Sequence, residues 1–422
     1  MNDIIKLIPS KKYYEDLYEI PWSIEEGKPV IKKTKLRIGL INIPCGGFGD
    51  VIVCQTFYDY LKEWYPQHDI IICTTSIQKF KTLGLNTSKM KEISVKGNEE
   101  CEPYDKLYFK KQPKPFDIMI CIPIINYQFI INKFQKFIPY ANLFNTFTVS
   151  EYNGYIPPYT FPIGVGSDQL GIFLTKPEIK PHGLIKKPYA LVYIADRSNP
   201  AGIHCKLCFL SYMEMIAKKY HKMYPLFQVV VPPWITTMLS ENSHFKYKFK
   251  QIITKYYPNV WIVNSEGKDS FFEGIGNSLI IRGDILPQPR PVFISLMKGS
   301  IEDILLTGDQ SITDALSCCS DKKNIWYQIA PWKQDLANEL SKAIPDSTVD
   351  NFRTSCGILK GLRKHKNYTP LLRKYDFRKL GRKRMDAILN FHYKKEHYKL
   401  FMNIVLHSRT IDSVIKKMKN KI

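Results

Sequence analysis

The sequence predicts an α/β protein with two successive blocks of parallel sheet, and three observations carry that prediction. Short apolar runs such as Leu36–Ile43, Tyr189–Ala195 and Ile304–Leu306 recur along the chain, with the length of buried parallel strands. Several run through a polar or glycine-containing turn into a segment whose apolar residues repeat at helical spacing. The pattern also stops at Thr175–Pro188 and restarts after it. That stretch holds three prolines, a glycine and four lysines without periodicity, the composition of a linker. Two αβ blocks of similar size joined in this way imply two Rossmann-like domains facing a cleft. The expected boundaries are 1–178, 186–350, and a basic helical extension over 351–422 that packs back on the body.

Size and composition agree. The chain has 422 residues, 44% hydrophobic and 24% charged, long for one core and comfortable for two. No apolar run reaches the ~18 residues that would span a bilayer. Met1–Ser10 lacks a signal-peptide core, so a cytoplasmic protein is expected. Ten cysteines scattered through strand and helix patterns fit reduced thiols better than a disulfide framework. Cys205 and Cys208, after His204, have metal-ligand spacing but no second pair to complete four ligands, so no metal site is expected. The formal net charge of +22 asks for an acidic partner: a phosphorylated substrate, nucleic acid or an anionic membrane.

In the first block, Met1–Lys35 reads as a wrapping segment. The strand Leu36–Ile43 runs into Pro44–Asp50, a turn carrying Gly46, Gly47 and Gly49, then a helix over Val51–Trp64 and a strand over Asp69–Thr74. This βαβ unit puts a glycine-rich turn at the carboxyl end of its first strand, where such folds hold phosphates or a catalytic group. It is not a dinucleotide fingerprint, because Ile52 stands where the third glycine or alanine belongs and no acid follows the second strand. No Walker sequence occurs either. Farther on, Phe116–Ile122 is a strand, Ile124–Phe137 a helix, and Gly164–Gly171 a second glycine turn.

In the second block the strands are Tyr189–Ala195, Phe227–Val231 and Val260–Val263, with helices over Phe209–Tyr220 and Lys246–Tyr257. The first of these strands is followed by Asp196–Gly202 and then Lys206. Arg197 there suits a bidentate phosphate contact, and a solvated loop arginine is the alternative. Arg282 follows the apolar Leu279–Ile281, so its charge must be paired or face the cleft. Asp303–Pro331 reads as strand, glycine turn, helix and strand. Gly308 frees the backbone to turn, while Asp309, Ser311 and Thr313 are helix-starting types. A helix starting there directs unpaired N–H groups and a positive dipole end over the sheet edge. The turn Thr307, Gly308, Asp309, Gln310 and Ser311 is therefore the candidate phosphate seat. Trp332–Lys342 is an amphipathic helix. The segment from Asn351 to Ile422 carries twenty Lys and Arg against four acids, yet its apolar residues recur at helical spacing.

The stretch Gly47–Thr75, with Gly49-Asp50, Leu61-Lys62 and Tyr65-Pro66 in order, resembles the opening of the bacterial lipopolysaccharide heptosyltransferases and related GT-B glycosyltransferases. The resemblance covers about thirty residues. It implies two Rossmann-like domains, a nucleotide-sugar donor held mainly by the second, and Asp50 at the acceptor side as general base. The other reading of Asp50 is a helix cap. The implied reaction is transfer of a hexosyl or heptosyl unit to an acceptor hydroxyl, inverting, with the nucleotide sugar as co-substrate and no resident cofactor. No Asp-x-Asp pair occurs in the chain, so the leaving diphosphate would be met by the helix at Ser311 and by Arg197, Lys206 and Arg282 without a metal. The acceptor would be a glycan, a lipid-linked group or a protein, and the basic extension would suit an anionic membrane surface. Two alternatives are an epimerase of the same fold and a nucleic-acid-binding protein. Against the latter, there is no aromatic stacking platform and the charge collects in one terminal segment.

Overall fold

The computed structural model describes residues 35–124 apart from 45–46, 98–103, 112, 115 and 117; 146–195 apart from 155–159, 162, 167–168, 176–177, 182 and 187; 203–351 apart from 320–321, 331–332 and 345–348; and 372–389 apart from 381. These residues fall in two compact units, one drawn from Met1–Phe173 with Asp386–Ile422 and the other from Leu174–Met385. The expected wrapping segment before Lys35 and most of the basic extension lie outside the described residues, as does the expected helix over Ile124–Phe137 except for Ile124, which ends a strand instead.

In the first unit, β1 (Arg37–Asn42), β2 (Asp69–Thr74), β3 (Lys91–Glu92), β6 (Ile118–Ile124), β7 (Thr146–Ser150) and β8 (Thr160–Phe161) form a sheet ordered β3-β2-β1-β6-β7-β8. Every pairing in it is parallel. β1 and β2 are buried along almost their whole length, as strands covered on both faces must be. The helix α1 (Gly49–Trp64) crosses from β1 to β2 and buries Val51, Cys54, Phe57 and Leu61. A short helix, α2 (Ile77–Thr82), follows β2, and a hairpin of β4 (Ser94–Gly97) and β5 (Tyr104–Tyr108) stands apart from the sheet. The glycine stretch after β8 is a closed turn. Gly164 and Gly171 bridge antiparallel, while the Asn153 carboxamide bonds both the N–H and the C=O of Val165 at 2.9 and 2.8 Å.

In the second unit the parallel strands β11 (Asn259–Asn264), β13 (Ser278–Arg282), β10 (Leu226–Val230), β9 (Tyr189–Tyr193), β14 (Asp303–Thr307) and β15 (Asn324–Gln328) lie side by side in that order. The antiparallel β12 (Gly267–Phe272) covers one edge, and β17 (Leu372–Asp376) with β16 (Val349–Asn351) covers the other. On one face α3 (Ile203–Tyr220), α4 (Pro233–Glu241) and α5 (Ser243–Ile253) share a core with Ala190 and Val192 of β9. Residues of alternate parity face the other way, and the Tyr189 hydroxyl bonds the Leu296 carbonyl of α6 (Arg290–Gly299) at 2.8 Å. The next helices are α7 (Asp309–Cys318) and α8 (Gln334–Ala343). The helical expectation for the basic segment is corrected at Leu372–Asp376, which is a strand: Leu372, Tyr375 and Asp376 are buried against β15 and Arg373 and Lys374 are half-buried. Helix returns at α9 (Arg382–Ile388).

Asp303, at the start of β14, anchors this sheet from below. Its side chain is 1% exposed and accepts from Lys219 Nζ and Tyr220 Oη at 2.6 Å and from Trp326 Nε1 at 3.1 Å. Burial pushes its carboxyl up, but those bonds and the Lys219 charge outweigh burial and hold it below the ordinary value. Arg378, next to β17, joins this end through Glu302 at 2.6 Å and Asp376 at 2.8 Å.

Candidate functional site

A parallel sheet opens a crevice where successive connections leave in opposite directions. In the second unit that point lies between β9 and β14. From β9 the chain crosses by α3 to β10 on one side; from β14 it crosses by α7 to β15 on the other. Right-handed crossovers then put α3 and α7 on opposite faces. The seat expected at Thr307–Ser311 stands at this point, since Leu306 pairs with Tyr193 at the end of β9.

Gly308 occupies the N-cap of α7 with φ 76° and ψ 165°, and no side chain caps the helix. Only glycine adopts such a backbone without strain. The first N–H groups of α7 have no partner within the helix, and with the positive end of its dipole they point over the sheet edge. The Ser311 hydroxyl donates to the Thr307 carbonyl, and that of Thr313 to Asp309 at 2.8 Å. The Ser311 hydroxyl is therefore spent on its own helix, which leaves only its backbone to face the expected seat. Asp309, in the first turn, is paired with Lys333 Nζ at 2.7 Å, a lysine with an 8% exposed side chain that reaches in from beyond β15. Gln328, at the end of β15, crosses above β14: its Oε1 accepts from Ala195 N–H at 3.1 Å and its Nε2 donates to the Ala195 carbonyl at 3.4 Å. Thr307 Oγ1 donates to the Gln328 carbonyl at 3.3 Å. Gln310 bonds Asp314 at 2.9 Å, and Asp314 in turn holds Arg290 at 2.7 Å.

Lys206 lies in the first turn of α3, half-buried. Arg197 lies outside the described residues. Arg282 stands apart: it ends β13, three strand spacings or about 14 Å from β14, with β10 and β9 between. Its guanidinium is held by Asp284 at 2.8 and 2.7 Å and by Gln228 at 3.2 Å. Lys333 and Gln328 escaped the sequence reading, because their partners are distant in sequence. Cys205 and Cys208 are buried in the core of α3, where burial pushes the Cys208 thiol up. Among the described residues no group of His, Cys, Asp and Glu is placed to hold a metal ion, and no helix is long and apolar enough to cross a membrane.

The first unit has its own switch point, between β1 and β6. The glycine-rich turn leaves β1 there; Gly46 lies outside the described residues, while Gly47 and Gly49 border open space. The helix α1 opens at Gly49 behind Phe48, again without a side-chain cap, and Asp50 sits in its first turn and not at the cap position. A carboxylate there is favoured by the helix dipole. Asn42, 0% exposed at the end of β1, bonds the Asp50 carbonyl at 3.1 Å and the Ile122 carbonyl of β6 at 2.9 Å through Nδ2. Its Oδ1 accepts from Thr74 Oγ1 of β2 at 3.2 Å. Lys79 Nζ reaches the Gly47 carbonyl at 3.5 Å.

The molecule is thus an α/β protein whose two parallel sheets, compatible with Rossmann-like domains, each carry a helix N-terminus at a switch point. No protein-family model and no curated protein matches the chain. Among solved structures it is similar to a glycosyltransferase from Rickettsia africae ESF-5, at 11% identity over 90% of this chain and 98% of that one, TM-score 0.37. It is also similar to the N-terminal domain of Candida albicans trehalose-6-phosphate phosphatase, at 11% identity over 94% and 99%, TM-score 0.37. A third is an alpha-glucosyltransferase in complex with UDP and a 13-mer DNA containing a central A:G mismatch, at 8% identity over 87% and 100%, TM-score 0.31. All three scores lie below 0.5, so the case for function is carried by the chain's own residues.

Proposed function

We propose that the chain is a glycosyltransferase of the GT-B kind, nearest the heptosyltransferase-like branch, moving a sugar from a nucleotide-diphosphate donor to an acceptor hydroxyl. The observation that carries this reading is the uncapped start of α7 at the switch point of the second sheet, with Gly308 at φ 76° and Lys333 beside it. Charge builds on the leaving diphosphate as the glycosidic bond breaks. The α7 N–H groups, the positive end of its dipole and the Lys333 ammonium meet that charge without a metal. Lys206 and Arg197 are the further cations of this group. On the acceptor side Asp50 removes the hydroxyl proton as the new bond forms, and the sugar inverts.

Thermal shift across a panel of nucleotide sugars tests the binding half. A true donor at a hundred times its Kd adds ~2.7 kcal/mol of stability. Silence across the panel, together with salt-sensitive retention on heparin, would sink the reading in favour of nucleic acid. For the chemistry, Asp50→Asn should keep donor affinity and cut turnover by about 10²–10⁴, and turnover should persist in excess chelator.

A further inference from the structure

Asn42 has no place in the scheme above, yet its surroundings are unusually specific. Its carboxamide offers two N–H donors and one acceptor oxygen in a plane, and each finds a partner from a different element: the Ile122 carbonyl of β6 at 2.9 Å, the Asp50 carbonyl of α1 at 3.1 Å and the Thr74 hydroxyl of β2 at 3.2 Å. These partners fix the amide's orientation, because a flipped group would set its oxygen against two carbonyls. Aspartate in its place would do the same. Asn42's own carbonyl accepts from Thr75 N–H at 3.2 Å, so the side chain sits on a tethered backbone. The group is fully buried, where hydrogen bonds are least contested by water.

We propose that Asn42 is a positioning residue for Asp50, fixing the first turn of α1 so that the Asp50 carboxylate keeps the direction it needs to take a proton. This rests on Asp50 being the base. The staple acts on the Asp50 carbonyl, one bond from the Cα that carries the carboxylate, in the first turn of α1. It also links α1 to β6 and β2, the strands on either side of β1.

The test is a double-mutant cycle read alongside amide exchange. Asn42→Ala should cut kcat by about 10²-fold, the loss expected from a displacement near 1 Å, while donor affinity stays within about twofold. The Ile52 amide, which bonds the Phe48 carbonyl at 3.1 Å, should lose exchange protection. In an Asp50→Asn background the same change should cost no more than about twofold further, because the residue it serves is already disabled. Equal losses in both backgrounds would mean general damage and overturn the inference while leaving Asp50 as base. Unchanged Ile52 protection would overturn it too. Full activity of Asp50→Asn alone would remove the base reading and the inference with it. Should Asn42→Ala fail to fold, Thr74→Val removes the hydroxyl that orients the amide and that also accepts from Ser76 N–H at 3.1 Å, and the same pattern should appear at smaller amplitude.

Discussion

Gly49 and Gly308 both stand where a strand gives way to a helix, but alanine should act on them with opposite sign. At Gly308 the backbone has φ 76° and ψ 165°, a region essentially closed to residues with a Cβ, so occupying it costs about 1–3 kcal/mol. An added Cβ would meet nothing within 4 Å, so the cost is backbone strain and not collision. Alanine also narrows the unfolded ensemble, which returns about 0.4–1 kcal/mol, leaving a net loss of about 1–2 kcal/mol. For a unit the size of Leu174–Met385 that lowers Tm by roughly 2–8 °C. Gly49 has the same open space around it but lies inside α1, so Gly49→Ala should instead gain about 0.4–1 kcal/mol. Urea and thermal unfolding of both variants against the parent read this directly. A Gly308→Ala protein as stable as the parent, or an equal loss from Gly49→Ala, would refute the backbone argument. Nucleotide binding by any Gly308 variant then has to be measured at a temperature where it remains folded.

Three further expectations follow from the ion pairs. Asp303→Asn should cost about 1–3 kcal/mol by weakening the hydrogen bonds to this buried carboxylate, because Lys219 is 38% exposed and keeps Glu302 as a partner. Because the Asp303 pKa is depressed in the folded state, its contribution is present above the unfolded value of ~3.9 and lost as pH falls through the folded one. The variant's stability should therefore fall less steeply than the parent's below about pH 4, and an identical acid profile would refute this. Lys333→Met should weaken binding of a nucleoside diphosphate by about 10-fold or more, the worth of one charge-assisted bond, as read by calorimetry; a change under about twofold would remove Lys333 from the seat. Arg282→Met should leave diphosphate affinity unchanged and lower stability by about 1–2 kcal/mol through Asp284 and Gln228; weaker binding would return Arg282 to the donor group.

The strands of the two parallel cores were legible because burial on both faces makes them continuous apolar runs, as in Leu36–Ile43 and Ile304–Leu306. The turn at Gly308 was legible for a different, local reason: a positive φ is a demand that glycine alone meets without strain. The edges of the second sheet were not: β12 and β17 carry Lys268, Asp269, Arg373 and Lys374 among their apolar residues, and the basic run around Leu372 reads as readily as helix. The helices α4 and α6 were missed although each has a proline in its first turn, where the missing N–H costs nothing; prolines there read as breaks. For the site, the sequence shows which turn is open but not which side chains arrive from elsewhere. Lys333 lies 24 residues from Asp309, and Gln328 lies 133 from Ala195. Those contacts exist only once β9, β14 and β15 are adjacent.

The strand β17 has a consequence for anyone wishing to dissect the chain. The boundary suggested by composition, near residue 350, invites removal of everything after it as a charged appendage. Such a truncation would strip β15 of its antiparallel neighbour, leaving a row of backbone N–H and C=O groups exposed at the edge of a wholly buried strand. It would also delete Arg378 from Glu302 and, in the other unit, the Ile388 carbonyl that accepts from Ile172 N–H at 3.3 Å. Protein ending at residue 350 should therefore aggregate, while an end point beyond Leu389 keeps these contacts.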